Sequence, residues 1–346
     1  MKHFSSIAVA VASAAFILAG GSVQNVSAQA KVIELKVATP KPPIAAPVKA
    51  FKEWAQKIEA GSGGRVKITI YPAQSLVKLA DVVPSTEKGI CDIGDLVVNT
   101  EDRRYALSSI LCLPFLTLVD PDAGVKIWNE VEEKFPEMKT EQKRFKVLYK
   151  HSSNAGHLHM VKKSVRVPSE VKGMKITCQG HLATIMKSVG ASPLAVPVPE
   201  WYTALDRGMA EGQIMHYHGA YETKIYEHLK YHTDIGEGIA LNLEEFVMSW
   251  DTWKSLPPDI QKLFDDLSPW LTNRVAELIN GVTAEGKEVM KKAGHTFIKL
   301  TPDEEKLWMN AALPLHNQVL EKMQEKGVPA KAVYEEAKRV AQKYRK

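Results

Sequence analysis

The sequence contains few cysteines and no long apolar segment after its first thirty residues. Among 346 residues the cysteines are Cys91, Cys112 and Cys178, which are widely spaced and form no C-x-x-C pair. An odd number in that arrangement predicts neither a disulfide framework nor a zinc site, so we expect small buried side chains. After residue 30 no apolar run reaches the roughly eighteen residues that a membrane-spanning helix requires. The sequence therefore predicts a soluble chain.

Familiar catalytic and nucleic-acid-binding patterns are missing as well. The sequence has no G-x-S-x-G elbow, no Walker loop and no H-E-x-x-H pair. Its net charge is +5, with lysine and glutamate interspersed along the chain, which is typical of a solvated surface and not of a nucleic-acid-binding stripe. We therefore expect a binding protein that is no enzyme, has no catalytic residues, cofactor, metal or nucleic-acid partner, and is a monomer.

Residues 1–30 have the composition of a cleavable signal peptide. A positive start at residues 1–3 precedes an apolar run over 7–18, and small residues at 26–30 fit the small-x-small rule for signal peptidase. The apolar run is too short to cross a bilayer, and no cysteine stands at the cleavage site to carry a lipid anchor. The sequence predicts export to the periplasm, with a mature chain that starts near Gln29 or Lys31.

Alternating strands and helices follow the signal segment. Period-two alternation predicts strands at 32–38 and 66–70, and apolar residues spaced three and four apart predict a helix over 48–58 between them. A helix at 77–88 and a buried strand at 90–94 complete a doubly wound α/β pattern with a mostly parallel sheet. A similar block begins after residue 144, with strands at 145–149, 157–162, 173–178 and 212–216.

The length of the mature chain predicts two lobes, since one core rarely fills more than about 250–300 residues. We assign 31–152 plus about 238–280 to lobe I, and 153–237 plus about 281–346 to lobe II. The C-terminal part is predicted to be helical, at 257–267, 270–292, 302–326 and 329–344, with Pro314 kinking or splitting the third helix. Lobes joined by several crossing segments make a hinged clamp, whose ligand lies beyond the carboxyl ends of the strands.

Histidine pairs support a second hypothesis, in which the protein binds a metal or is a metalloenzyme. His157 and His159, like His216 and His218, are two residues apart and would lie on one strand face. A metal site needs three or four converging ligands, and no acidic residue or cysteine lies at fixed spacing beside either pair. We keep this reading as the alternative, beside a ligand sensor built on the same scaffold.

Several segments together resemble the solute-binding proteins of tripartite ATP-independent periplasmic (TRAP) transporters, of the dicarboxylate-binding type. In family order they are SGGRVKI at 62–68, GICDIG at 89–94, LPFL at 113–116, PSEVKGMKI at 168–176, EWYTAL at 200–205, EGQ at 211–213 and WKSLP at 253–257. The resemblance implies a two-lobed, type II-like α/β clamp with a long helix spanning both lobes, for which 270–292 is the candidate. It also implies a small and a large membrane subunit as partners, and an organic acid as ligand.

The sequence departs from the family where the ligand carboxylate is usually held. The family places an arginine in a second-lobe strand and an asparagine after a Gly-Gln pair; Thr177 and Met215 stand at the matching positions here. Thr cannot supply the paired donors of a guanidinium, and Met supplies no donor. Either another cation replaces the arginine or the ligand is no simple carboxylate, so its identity and charge stay open.

We expect ligand contacts from loops at the carboxyl ends of strands and from the crossing between the lobes. The predicted contacts are Lys41, Asn99 and Arg103 in the first lobe, Asn154, Thr177, Gln179, Met215, His216 and Tyr217 in the second, and Trp250 at the crossing.

Overall fold

A computed structural model describes residues 32–100, 104–116, 120–178 and 180–344. The predicted signal peptide and two predicted ligand contacts, Arg103 and Gln179, lie outside these ranges. Within them, no helix combines the length and the apolar character needed to cross a membrane.

Eleven strands and twelve α-helices make up the described part of the chain. The strands are β1 (Ile33–Ala38), β2 (Val66–Tyr71), β3 (Ile93–Val97), β4 (Phe145–Ser152), β5 (His157–Met160), β6 (Lys175–Thr177), β7 (Ser192–Leu194), β8 (Gly212–Met215), β9 (Tyr231–Asp234), β10 (Leu243–Ser249) and β11 (Thr296–Lys299). The helices are α1 (Ala46–Gly61), α2 (Val82–Glu87), α3 (Ala106–Ile110), α4 (Pro121–Lys134), α5 (Pro136–Gln142), α6 (Gly180–Ser188), α7 (Trp201–Asp206), α8 (Tyr217–Glu222), α9 (Trp250–Ser255), α10 (Pro258–Lys292), α11 (Pro302–Gln324) and α12 (Ala330–Tyr344).

The strands form two sheets, as the predicted two-block pattern requires. The first has the order β2-β1-β3-β10-β4, and the second has the order β11-β9-β5-β8-β6-β7. In the first sheet β1 is parallel to β2 and β3, whereas β10 runs antiparallel to β3 and β4. Because β10 follows the whole of β5 to β9 in the chain, it returns from the second sheet to the first and forms one of the crossings between them.

Each sheet has hydrophobic clusters of its own. In α1 the residues Val48, Phe51, Trp54 and Ile58 are buried against the first sheet, which confirms the predicted amphipathic spacing. The second sheet packs through Leu158, Ile176 and Ile214 against Trp308 of α11. Each sheet therefore carries enough apolar surface to act as a lobe.

Helix α10 is longer than the pattern predicts. The sequence predicts a break between 267 and 270, but a single helix of 35 residues runs through Pro269. It packs against α1 and β4 at the first sheet and against α8 at the second. At about 1.5 Å per residue it is about 52 Å long, enough to span both lobes. Pro314 likewise lies inside one continuous helix, α11.

The boundaries of the two lobes stay a prediction. The last helix, α12, packs beside the first sheet, because Val333, Ala337 and Val340 lie in the same hydrophobic cluster as Trp128 of α4. The sequence-based assignment includes that helix in lobe II.

Candidate functional site

The carboxyl ends of several strands carry polar residues. In the first sheet, Lys41 follows β1 and Asn99 follows β3. Glu244, near the start of the antiparallel β10, lies beside Val97 of β3 and His151 of β4, and so at the same edge. In the second sheet, Thr177 ends β6, and Met215 and His216 end β8. Sheet topology therefore gathers these residues at two edges.

A buried ion cluster occupies the edge of the first sheet. The Nζ of Lys41 lies 2.6 Å from Asp95 Oδ2 and also contacts the carboxylate of Glu244. Thr39 donates its hydroxyl to the same Asp95 oxygen at 2.5 Å. Asp95 is fully buried and Glu244 nearly so. Burial alone would raise the pKa of Glu244, but the charges of Lys41 and His151 lower it below its ordinary value.

His151 extends this cluster along β4. Its Nε2 lies 3.1 Å from Glu244, and its Nδ1 lies 3.0 Å from the hydroxyl oxygen of Tyr149, whose ring stacks on the imidazole. His151 and Tyr149 are both buried. Hydrogen bonds and ion pairs thus run without a break from Tyr149 to Asp95, which makes the first-lobe edge a rigid polar surface.

Two stacked imidazoles lie at the edge of the second sheet. The rings of His216 and His218 are parallel, with centroids 3.6 Å apart. His216 caps α8, because its Nδ1 accepts a hydrogen bond from the Gly219 N–H at 3.0 Å. Burial lowers the pKa of His216 to about 4 and that of His218 well below its ordinary value, so both rings are neutral near pH 7.

The two edges meet across the cleft. The charges of Glu244 and Lys41 act on both His216 and His218, which requires these groups to lie close together. Several buried polar atoms along the edges have no hydrogen-bond partner within the described part of the chain: Asp95 Oδ1, Asn99 Oδ1, Asn154 Oδ1, Gln213 Oε1 and His218 Nδ1. Buried polar groups are normally paired, so these atoms are suited to hydrogen-bonding a guest between the lobes.

A further contact joins the lobes beside the cleft. The carboxylate of Glu222, the last residue of α8, accepts a hydrogen bond from the backbone N–H of Ala46, the first residue of α1. Helix α1 has no acidic residue in its first turn, and Ala45 offers no capping side chain. Glu222 therefore caps a first-lobe helix from the second lobe, although burial raises its pKa to about 7.

Among the predicted contacts, Lys41 lies in the ion cluster at the first-lobe edge and His216 lies at the second-lobe edge, and whether either touches a ligand stays a prediction. Asn99 lies at the first-lobe edge, where its side-chain amide donates to Asn242 Oδ1 at 3.1 Å. Asn154 is partly buried near that edge, since the N–H of the preceding residue donates to the Asn242 carbonyl. Thr177 and Met215 are buried at strand ends of the second lobe, and whether they touch a ligand stays a prediction.

Two predicted contacts lie elsewhere. The Tyr217 hydroxyl donates to Asp234 at 2.6 Å, and the ring packs edge-on against His159 with Lys287 above it, so the side chain is held inside the second lobe. Trp250 follows the far end of β10, about 20 Å from Glu244 at roughly 3.3 Å per strand residue. There its indole N–H donates to the Lys143 carbonyl.

The metal alternative is not supported. His159 uses one ring nitrogen on the Met215 carbonyl and the other on His232, while His157 lies 3.6 Å from Asp234. The two histidine pairs therefore do not converge. In the described ranges no group of three or more His, Cys, Asp or Glu side chains is arranged to hold a metal ion. The three cysteines are buried, as predicted, and they are free.

Sequence reasoning missed Asp95, His151 and Glu244. The signal for the two acids was available, because Asp95 interrupts the apolar strand at 93–97, and Glu244 lies beside Glu245 in the largely buried strand at 243–249. A buried carboxylate needs a partner, so each was a candidate for a functional cluster.

Comparisons with known proteins give a consistent result. The family model described as bacterial extracellular solute-binding protein, family 7 (DctP), matches residues 38–323. The C4-dicarboxylate-binding periplasmic protein DctP of Vibrio cholerae is 26% identical over 155 residues, which are 44% of this chain and 46% of that protein. The chain thus matches just under half the length of that curated relative.

Solved structures match over a longer range. A TRAP periplasmic solute-binding protein from Desulfovibrio salexigens, in an open complex, is 26% identical with a TM-score of 0.76, covering 90% of this chain and 96% of its own. A marine metagenome TRAP solute-binding protein specific for aromatic acid ligands is 24% identical with a TM-score of 0.82, covering 91% and 100%. These matches confirm the predicted two-lobed α/β fold.

Proposed function

Because the chain belongs to the bacterial extracellular solute-binding proteins of family 7 and resembles TRAP solute-binding proteins, we propose that it captures a small organic acid in its interlobe cleft. It then delivers the acid to a small and a large membrane subunit of a TRAP transporter. The family and the fold are those of solute-binding proteins, so no reaction on the solute is proposed. The supporting observation is the meeting of Lys41, Asp95 and Glu244 with His216 and His218 between the two sheets.

The charge of this cleft favours a monocarboxylate. Lys41 faces two carboxylates, Asp95 and Glu244, and His151 is the other basic group of this cluster. The neutral rings of His216 and His218 add no charge, so the cleft has no excess of positive charge. An ammonium has three N–H donors, and two of them are used by Asp95 and Glu244. One donor then remains for a single ligand carboxylate, and a dianion would meet more repulsion.

The shape of the second-lobe edge favours an aromatic acid. Two parallel imidazoles present flat surfaces on which an aromatic ring can stack or pack edge-on. Among the similar proteins, the name of the Vibrio cholerae relative refers to C4-dicarboxylates, and the marine metagenome protein is specific for aromatic acids. The cleft charge and the stacked rings agree with the second class.

A melting-temperature screen at pH 7.5 tests this function. We expect benzoate and 3-hydroxybenzoate to raise the melting temperature by about 5 °C or more at concentrations about 100-fold above Kd, because a ligand that binds only the folded state stabilises it. Succinate should give a smaller shift, and the uncharged analogue benzamide none. A panel in which no organic acid produces a shift, or in which amines alone do, contradicts the proposal.

Paired variants locate the binding site in the same screen. Replacing His218 with Phe removes a polar ring at the cleft and should abolish the shift, whereas Trp250→Phe, at the far end of β10, should leave it unchanged.

We also propose that residues 1–30 are a cleaved signal peptide. The intact mass of protein purified from the periplasm would then show whether cleavage follows Ala28 or Ala30.

A further inference from the structure

Three buried histidines connect the surface of the second lobe with the pocket end of β8. His159 Nε2 lies 2.9 Å from the Met215 carbonyl oxygen, and His159 Nδ1 lies 2.8 Å from His232 Nδ1. His232 Nε2 lies 2.9 Å from His295 Nδ1, and His295 Nε2 lies 3.2 Å from Lys230 Nζ. His159 and His232 are fully buried and His295 is largely so, while Lys230 is exposed. Four hydrogen-bond contacts thus lie in series.

The groups at the two ends of this series of hydrogen bonds determine which atom donates in each bond. The Lys230 ammonium only donates, and the Met215 carbonyl only accepts. A neutral imidazole has one donor and one acceptor, so each ring must accept on the Lys230 side and donate on the Met215 side. His295 and His232 therefore carry their proton on Nδ1, and His159 carries its proton on Nε2. No other set of neutral tautomers satisfies all four contacts.

The rings are held in place by strand register. His159 of β5 lies directly opposite His232 of β9 and, on its other side, opposite Gln213 of β8. Tyr217 packs edge-on against His159 and tilted against His232. Burial lowers the pKa of His159 to about 3 and also lowers the pKa of His232 and His295, so all three rings are neutral near pH 7. A protonated ring would have no acceptor and would break the series.

We propose that His159, His232 and His295 are positioning residues of the ligand site, because their one-way hydrogen-bond chain holds the Met215 carbonyl. The same peptide group leads directly into His216, which caps α8 and stacks on His218. This chain of hydrogen bonds thereby fixes the position of the stacked His216 and His218 rings. The role of these histidines in ligand binding rests on the proposed solute-binding function. The chain of hydrogen bonds itself can be tested on the protein without any ligand.

The first test measures the three tautomers. In protein with ¹⁵N-labelled histidine at pH 7.5, long-range ¹H–¹⁵N correlation spectra separate Nδ1–H from Nε2–H rings, and single His→Gln variants assign the signals. We expect His159 as the Nε2–H form and His232 and His295 as the Nδ1–H form, each as a single species. An Nε2–H form of His232 or His295, or a mixture at any of the three, overturns the proposal whether or not a ligand is found.

The second test measures whether the hydrogen-bond chain influences the backbone at Met215 and His216. Lys230→Met removes the surface donor without altering the core, so His295 should lose its single tautomer. The carbonyl ¹³C signal of Met215 and the amide ¹⁵N signal of His216 should then shift. Lys230→Arg restores a donor and should return both signals towards their original positions. Lys299→Met, at an exposed lysine of β11, should move neither signal. Unchanged Met215 and His216 signals in Lys230→Met would show that the histidines are merely structural.

Discussion

Lys41 is the residue on which the electrostatics of the cleft depend. Its ammonium is paired with two buried carboxylates, Asp95 and Glu244, and both would otherwise be buried charges without compensation. Burial by itself would lower the pKa of Lys41, but the two carboxylates raise it above the ordinary value. The cation is therefore retained at neutral pH, and it stabilises the site before any ligand enters.

We expect Lys41→Met to lower the free energy of unfolding by about 3 kcal/mol at pH 7.5, since removing one partner leaves uncompensated buried charges. Without the cation, the pKa of Asp95 and of Glu244 rises, so the two carboxyls protonate more readily as pH falls. The loss should therefore shrink between pH 7.5 and pH 5. Urea unfolding at both values measures it. Lys49→Met, at an exposed lysine of α1, is the control. Equal losses for the two variants would contradict this account.

At the scale of secondary-structure elements, α8 joins the ligand site to the contact between the lobes. It begins at the His216 cap and ends at Glu222, which accepts from the N-terminus of α1. Glu222 follows His216 by only six positions, so the stacked histidines and the interlobe hydrogen bond lie at the two ends of one short helix. A shift of this short helix therefore moves the stacked histidines and the interlobe contact together.

The Glu222 contact should depend on pH. Burial raises the pKa of Glu222 from an ordinary 4.5 to about 7, so its contribution to stability is complete below pH 4.5 and is lost as pH rises through 7. Glu222→Gln keeps an oxygen acceptor for the Ala46 N–H but carries no charge. We expect this variant to melt a few degrees above the parent protein at pH 8 and close to it at pH 5.

The control for this prediction is Glu237→Gln, which neutralises an exposed glutamate. It should change the melting temperature little at either pH. An advantage of Glu222→Gln that is as large at pH 5 as at pH 8 would show that the carboxyl is not desolvated by the closed lobes.

At the scale of the whole molecule, α10 connects the lobes, and two of its glycines differ in their surroundings. A Cβ at Gly286 would lie 2.8 Å from Tyr221 Cβ on α8, whereas a Cβ at Gly281 would have no neighbour within 4 Å. The approach of α10 to α8 therefore depends on Gly286, while Gly281 only adds flexibility to the unfolded chain.

Alanine at these two positions should have opposite effects. Gly286→Ala forces α8 away from α10 and should destabilise the protein by about 1–3 kcal/mol. Gly281→Ala should stabilise it by about 0.5–1 kcal/mol, since alanine is the better helix former. Urea unfolding of the two variants side by side measures the difference. Effects of the same sign would contradict the packing described here.

Part of the site could be predicted from the sequence because some positions follow from local order. Lys41 follows β1 by three residues and His216 follows β8 directly, and such positions lie at the carboxyl edge of a sheet. Trp250 also follows a strand, but β10 runs antiparallel to its neighbours, so Trp250 lies at the opposite edge. Strand direction is not encoded in the strand's own pattern.

The sequence by itself determined the export signature, the family and the α/β class, because these depend on short patterns such as the apolar spacing of α1. Only the tertiary structure decided which residues that are distant in the sequence come into contact. Asp95 and Glu244 share the ammonium of Lys41 because β10 is inserted beside β3, and His159 reaches His232, 73 residues away, through the pairing of β5 with β9. Such contacts follow from strand order and register, which the packing of the whole chain selects.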